Sequence, residues 1–156
     1  MPDHHDITPS SAGVLSLTDG IANSARDLLL LLGRVGLGWI YMESGWRKLQ
    51  DIPGFVATMP RRGLPDFLGY VAPPVEFIGG VMILAGFATR YAALLILLFT
   101  IIATFSSHAF WAITELKDRA AQYGQFSKNL SMKGGLLLLF VTAGGKFSVD
   151  ALLRRK

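Results

Sequence analysis

From residue 27 onward the chain alternates long apolar stretches with short polar or Gly/Pro-rich ones, and four of the stretches suit helices that cross a bilayer. About 30 Å of hydrocarbon takes about 20 helical residues to cross, and only helices or closed barrels satisfy their backbone hydrogen bonds there. The first stretch, 27–48, has an apolar body interrupted by Arg34 and Glu43 and closes on Trp46, Arg47 and Lys48, a typical interfacial anchor. The second, 67–87, holds Pro73 and Pro74 just before Glu76, which predicts a kink and a freed carbonyl or two. The third, 91–113, is the most clearly apolar. The fourth, 130–145, is short and is expected to continue an interfacial helix that starts in the preceding loop.

The connection Ala88, Thr89, Arg90 is too short for anything but an antiparallel hairpin, while Pro53, Gly54, Pro60, Gly63 and Pro65 predict a structured turn region over 49–66. The predicted fold is therefore all-α, a membrane bundle of four transmembrane helices in antiparallel up-down order. It spans 27–152, between a polar tail, 1–26, and a basic tail, 153–156. Asp3, Asp6 and Asp19 with no early basic cluster argue against a cleaved signal peptide. His4 and His5 read as solvated tail residues. The alternation puts both termini on one side, where Arg26, Arg90, Lys146, Arg154, Arg155 and Lys156 fall. Arg47, Lys48, Arg61, Arg62, Lys117, Arg119 and Lys128 fall on the other, and so even a split does not orient the chain. Glycines recur within the spans (Gly33, Gly36, Gly38 and Gly45; Gly79, Gly80 and Gly86; Gly134 and Gly135), as expected where helix backbones approach closely in lipid.

Composition narrows the chemistry. Of 156 residues 51% are hydrophobic, and the net charge of +4 comes from short segments flanking apolar runs, which reads as membrane flanking rather than nucleic-acid binding. Cysteine is absent, which excludes disulfides, thiolate metal sites and iron–sulfur clusters; any redox role must use a bound carrier or a partner's chemistry. Haem held by two histidines would need a second intramembrane histidine besides His108, so neither haem nor a metal is expected.

Charged side chains in hydrocarbon are costly, so each is expected to find a partner and is a candidate for function. Helix depth brings Glu43, His108 and Lys133 to one level near the side of the 49–66 loop, and pairs Arg34 with Glu76 deeper in. Arg34 and Glu43, nine residues apart, lie on opposite faces of one helix and cannot pair. Thr100, Thr104 and Ser107 form a polar stripe bordered by His108, either bonding back to the preceding turn or lining a cavity. A titrating histidine beside a carboxylate suits proton transfer. The opposite reading is that the charges only fix helix register.

These residues resemble the DoxX family of small bacterial four-helix membrane proteins. The resemblance runs through Arg34, Gly45, Lys48 and Leu49, then Val75, Glu76, Gly79, Gly80, Gly86, Thr89 and Arg90, then Ala92, Ala93 and Leu94, with His108 near the end of helix three. It implies an inner-membrane protein of quinone-linked redox or redox-stress systems, with both termini cytoplasmic. On that reading Glu76, His108 and Arg34 are the catalytic candidates. Glu43, Lys133, Thr104, Ser107, Lys48 and Arg90 would contact the ligand. The cofactor implied is a quinone, and the partners are the bilayer, a soluble redox protein and further copies of the chain. The alternatives are a scaffold subunit that docks a partner through the loop bearing Arg61 and Arg62, and a small transporter.

Overall fold

The computed structural model describes residues 11–155, so the first ten residues of the tail, with His4 and His5, lie outside the described residues. All regular structure among the described residues is helical: α1 Ser11–Gln50, α2 Ile52–Val56, α3 Phe67–Ala85, α4 Thr89–Ser107, α5 Leu116–Thr142 and α6 Val149–Leu153. Short 3-10 turns cover Pro60–Arg62 and Phe110–Ala112. Among the described residues two stretches are long and apolar enough to cross a membrane, α3 and α4 with its following turn. α1 and α5 have the length but carry more charge.

The boundaries depart from expectation in two places. α1 begins at Ser11, not at Asp27. Residues 11–26 read as a tail because they are polar, yet they contain no proline, and their alanines and leucines favour helix. α4 stops at Ser107, where His108 leaves helical geometry (φ −129°, ψ 40°). The rings of Phe110 and Trp111 then turn the chain back onto α5 by packing edge-on against Phe126. Elsewhere helices lie where the apolar stretches do. α3 runs on through Pro73 and Pro74, the 49–66 region contains α2 and the 3-10 turn, and the fourth apolar stretch is the second half of a 27-residue helix.

α1 packs chiefly on α3, α4 lies between α3 and α5, and α5 closes back on α1 more sparsely. Glycine decides the first of these contacts. A Cβ on Gly38 would lie 2.8 Å from the Gly80 carbonyl oxygen, and one on Gly80 or Gly45 would strike the backbone of Met42 or Phe77. Gly33, Gly36 and Gly134 meet nothing, so the close-packing expected of all the glycines is used by only some of them. The core on the other side is Tyr41, Ile83, Ala92, Ala93, Ile96 and Leu136. Outward faces carry large exposed apolar side chains, among them Leu32, Trp39, Leu98, Ile102 and Leu138, a surface that suits lipid rather than water.

The two ends of the bundle differ. At one end the Asp27 carboxylate accepts from the Lys146 backbone N–H at 2.8 Å, bringing the start of the apolar part of α1 beside the segment that follows α5. The α3–α4 hairpin joins them, because the Asp150 backbone N–H donates to the Gly86 carbonyl. At the other end lie α2, the 3-10 turn with Arg62, and the α4–α5 connection.

Candidate functional site

Between α1, α3, α4 and α5, and opening toward the end that carries α2, is a cavity of about 730 Å³. Its walls are mostly apolar (Leu68, Val71, Val75, Leu95, Leu98, Ile102), and its polar groups are few. Lys48 and Glu76 form an ion pair on its wall, with the glutamate side chain 7% exposed and the lysine 28%. Lys48 also lies over the ring of Phe55, 5.4 Å from its centre, which draws the loop onto the pair. Arg62 donates to the Ser107 hydroxyl at 3.1 Å and also lies over the Phe55 ring, 5.4 Å from its centre, and burial pushes its guanidinium below the usual arginine value. His108 Nδ1 lies 2.7 Å from Gln122 Oε1, and since that oxygen only accepts, Nδ1 is the donor of this bond and Nε2 is left for other contacts. Tyr41, Thr100 and Asn129 complete the deeper wall.

Five of the nine residues expected at a site therefore line one cavity: Glu76, His108, Glu43, Ser107 and Lys48. The pairings differ from expectation. Glu76 is held by Lys48, not Arg34, because Lys48 stands two heptads beyond Arg34 on the same face of α1 and reaches the level of Glu76 from the loop end. Glu43, His108 and Lys133 do not meet: Glu43 pairs with Arg47 one turn on, and Lys133 rests over the rings of Phe105 and Phe126. Thr104 is fully buried behind the cavity wall, and both it and Thr100 bond back to carbonyls one turn earlier.

Arg34 and Arg90 belong to the opposite end. Arg34, 1% exposed, donates to the carbonyls of Ile83, Leu84 and Phe147, closing the C-terminus of α3. Arg90 donates to the Val141 carbonyl. Beside them Asp150 accepts from the backbone N–H groups of Ala88 and Thr89 and from the Thr89 hydroxyl, capping α4 from another helix. Burial works against its charge, but these bonds and Arg154 outweigh it and hold its carboxyl below the usual range. Asp150→Ala is expected to cost about 1 kcal/mol, the scale of a lost N-cap. Because the folded value is depressed, this contribution is whole above about pH 4 and fades as pH falls through the folded value. Thermal unfolding in micelles should therefore show the gap between wild type and Asp150→Ala closing in acid.

Sequence reading missed Tyr41, Asn129 and Asp150, and it placed Arg62 in a docking loop. For Tyr41 a signal existed: Arg34, Tyr41 and Lys48 recur every seven residues, with Gly38 and Gly45 between them, and so mark one inward face of α1.

The DoxX family model matches residues 29–109, which includes α3, α4 and the cavity half of α1. The chain belongs to the DoxX family. Similar to it are Inner membrane protein YqjF of Escherichia coli, 34% identical over 84% of this chain and 96% of that protein, and Inner membrane protein YphA of the same organism, 30% identical over 81% and 91%. A Bacillus subtilis protein whose name provisionally calls it an oxidoreductase, CatD, is 37% identical over 47% of this chain and 54% of its own length. No solved structure matches. In this DoxX protein the matched region carries both halves of the Lys48–Glu76 pair and His108, whereas Asn129 and Asp150 lie beyond it.

Proposed function

We propose that this chain is an inner-membrane protein of four spans that holds the headgroup of a membrane quinone in the cavity beside Lys48 and Glu76, as part of a redox system whose electrons come from a soluble partner. The observation that carries this reading is a buried ion pair on the wall of an otherwise apolar cavity open at one end of the bundle. An ion pair so placed is costly unless it serves register or ligand. The relatives named as inner-membrane proteins support the location, the two long apolar helices agree with it, and the name of CatD supports the redox direction.

The residues present fit a quinone. Leu68, Val71, Leu95 and Ile102 offer apolar surface to a ring and its isoprenoid tail, and Lys48, Arg62 and His108 offer polar contacts to ring oxygens. Bound there, a quinone supplies the two-electron carrier that a chain without cysteine lacks. The protein's share is to bind and orient the ring, exclude water, and hold protons: His108 Nε2 accepts one, and the Glu76 carboxylate accepts one beside Lys48.

The reading is checked by extracting lipid from protein purified in native nanodiscs. A quinone should copurify at near one per chain, and Glu76→Gln should retain a folded protein and lose most of it. Equal quinone in wild type, Glu76→Gln and empty nanodiscs would leave only a scaffold.

A further inference from the structure

Four buried side chains on three helices form one hydrogen-bonded seam at the deep wall of the cavity: Tyr41 on α1, Thr100 on α4 and Asn129 on α5 line it, and Thr104 on α4 lies behind them. Each hydroxyl has one proton, and a carbonyl oxygen beside it can only accept. Thr100 Oγ1 lies 2.7 Å from the Ile96 carbonyl and spends its proton there. Its 2.8 Å contact with Tyr41 Oη then requires the tyrosine to be the donor. One turn further on, Thr104 spends its proton on the Thr100 carbonyl, so the atom that Asn129 presents to it at 3.2 Å must be Nδ2. Two helix carbonyls thus set the orientation of the whole seam.

What remains unspent facing the cavity is mostly lone pairs. Tyr41 Oη has given its proton away, Asn129 keeps Oδ1 and one amide hydrogen, and Glu76 keeps the carboxylate oxygen that Lys48 does not hold. The strong donors, Lys48 and Arg62, stand nearer the mouth; Lys48 is seven residues, about 10 Å, from Tyr41 along α1. A ring that enters from the mouth meets Arg62 and the Lys48–Glu76 pair first and the acceptors of Tyr41 and Asn129 at the bottom. Resting on the quinone reading above, we propose that the cavity selects the reduced, hydroxyl-bearing ring of a quinol, because a quinone carbonyl at that depth would meet lone pairs where it needs donors.

The test is to titrate a decyl-substituted dimethoxybenzoquinone, and the hydroquinone made from it by reduction, into wild-type protein in nanodiscs under argon, with calorimetric detection. The hydroquinone is expected to bind at least about tenfold more tightly, the scale set by a buried polar group left unpaired. Thr100→Val frees the Tyr41 proton to point into the cavity and should shrink that ratio mainly by improving quinone binding. Tyr41→Phe should shrink it by weakening the hydroquinone alone, and it serves if the threonine variant does not fold. Equal or tighter binding of the quinone to wild type overturns the selection and leaves the ligand class standing. Binding of neither form overturns both.

Discussion

Lys48→Met is expected to lower stability by about 3 kcal/mol, and the double variant Lys48→Met/Glu76→Leu to recover most of that loss while binding no quinone. Removing one partner of a buried pair strands the other, and such losses run to about 3–5 kcal/mol. The low end applies because the Lys48 ammonium keeps some contact with solvent at 28% side-chain exposure, whereas Glu76 has 7% and, among the described residues, no second cation bonded to it. Replacing both with apolar groups of similar volume removes the stranded charge and is often close to neutral. The double variant therefore separates the two readings of the pair. A register device would be dispensable once both charges are gone, and copurified quinone would be unchanged. A ligand-holding pair leaves a folded bundle with an empty cavity. Unfolding curves in micelles give the first number and lipid extraction the second. Recovery of stability together with full quinone content would remove the pair from the site.

Much of this architecture was legible because lipid simplifies the problem: length and apolarity find helices, and a three-residue connection fixes a hairpin. The order of the four long helices and the turn region at 49–66 follow from those signals alone. The start of α1 was not legible, since a polar helix outside the hydrocarbon has no periodic apolar signal of its own. The site was half legible. Depth along the helices grouped Glu43, His108 and Lys133 at one level and set Glu76 deeper with Arg34; Glu43, His108 and Glu76 line one cavity, which Lys133 and Arg34 do not. Depth cannot tell which way a side chain turns, so Lys48, read as an interfacial anchor, proved to be the partner of Glu76, and Lys133 found aromatic rings instead of a carboxylate. Charge-pairing logic also overlooked backbone carbonyls as partners for a buried cation, which is why Arg34 was paired with Glu76 and not with the end of α3.

Arg34→Met is expected to destabilise the protein by about 2–4 kcal/mol, with Arg34→Lys recovering less than half, and neither is expected to change quinone affinity in the folded fraction. The guanidinium binds three carbonyls from two segments, Ile83 and Leu84 at the end of α3 and Phe147 ahead of α6. These include acceptors that a helix C-terminus leaves without intrahelical donors. Each one stranded in a buried site costs about 1–3 kcal/mol, partly offset here because a buried cation is removed with them. Lysine keeps the charge but not the planar fork that reaches both segments, so it restores attraction to the helix end and little of the bridge. The space around the group is equally specific: a Cβ on Gly86 would lie 2.8 Å from Arg34 Cζ and 2.5 Å from the Ser148 Cβ. Because Arg34 does not line the cavity, its loss should act on the latch formed by α3, α4 and α6 alone. Unfolding temperature and quinone affinity measured on the same samples decide the matter: a stable Arg34→Met protein with weakened quinone binding would return Arg34 to the site and break the division between a ligand end and a structural end.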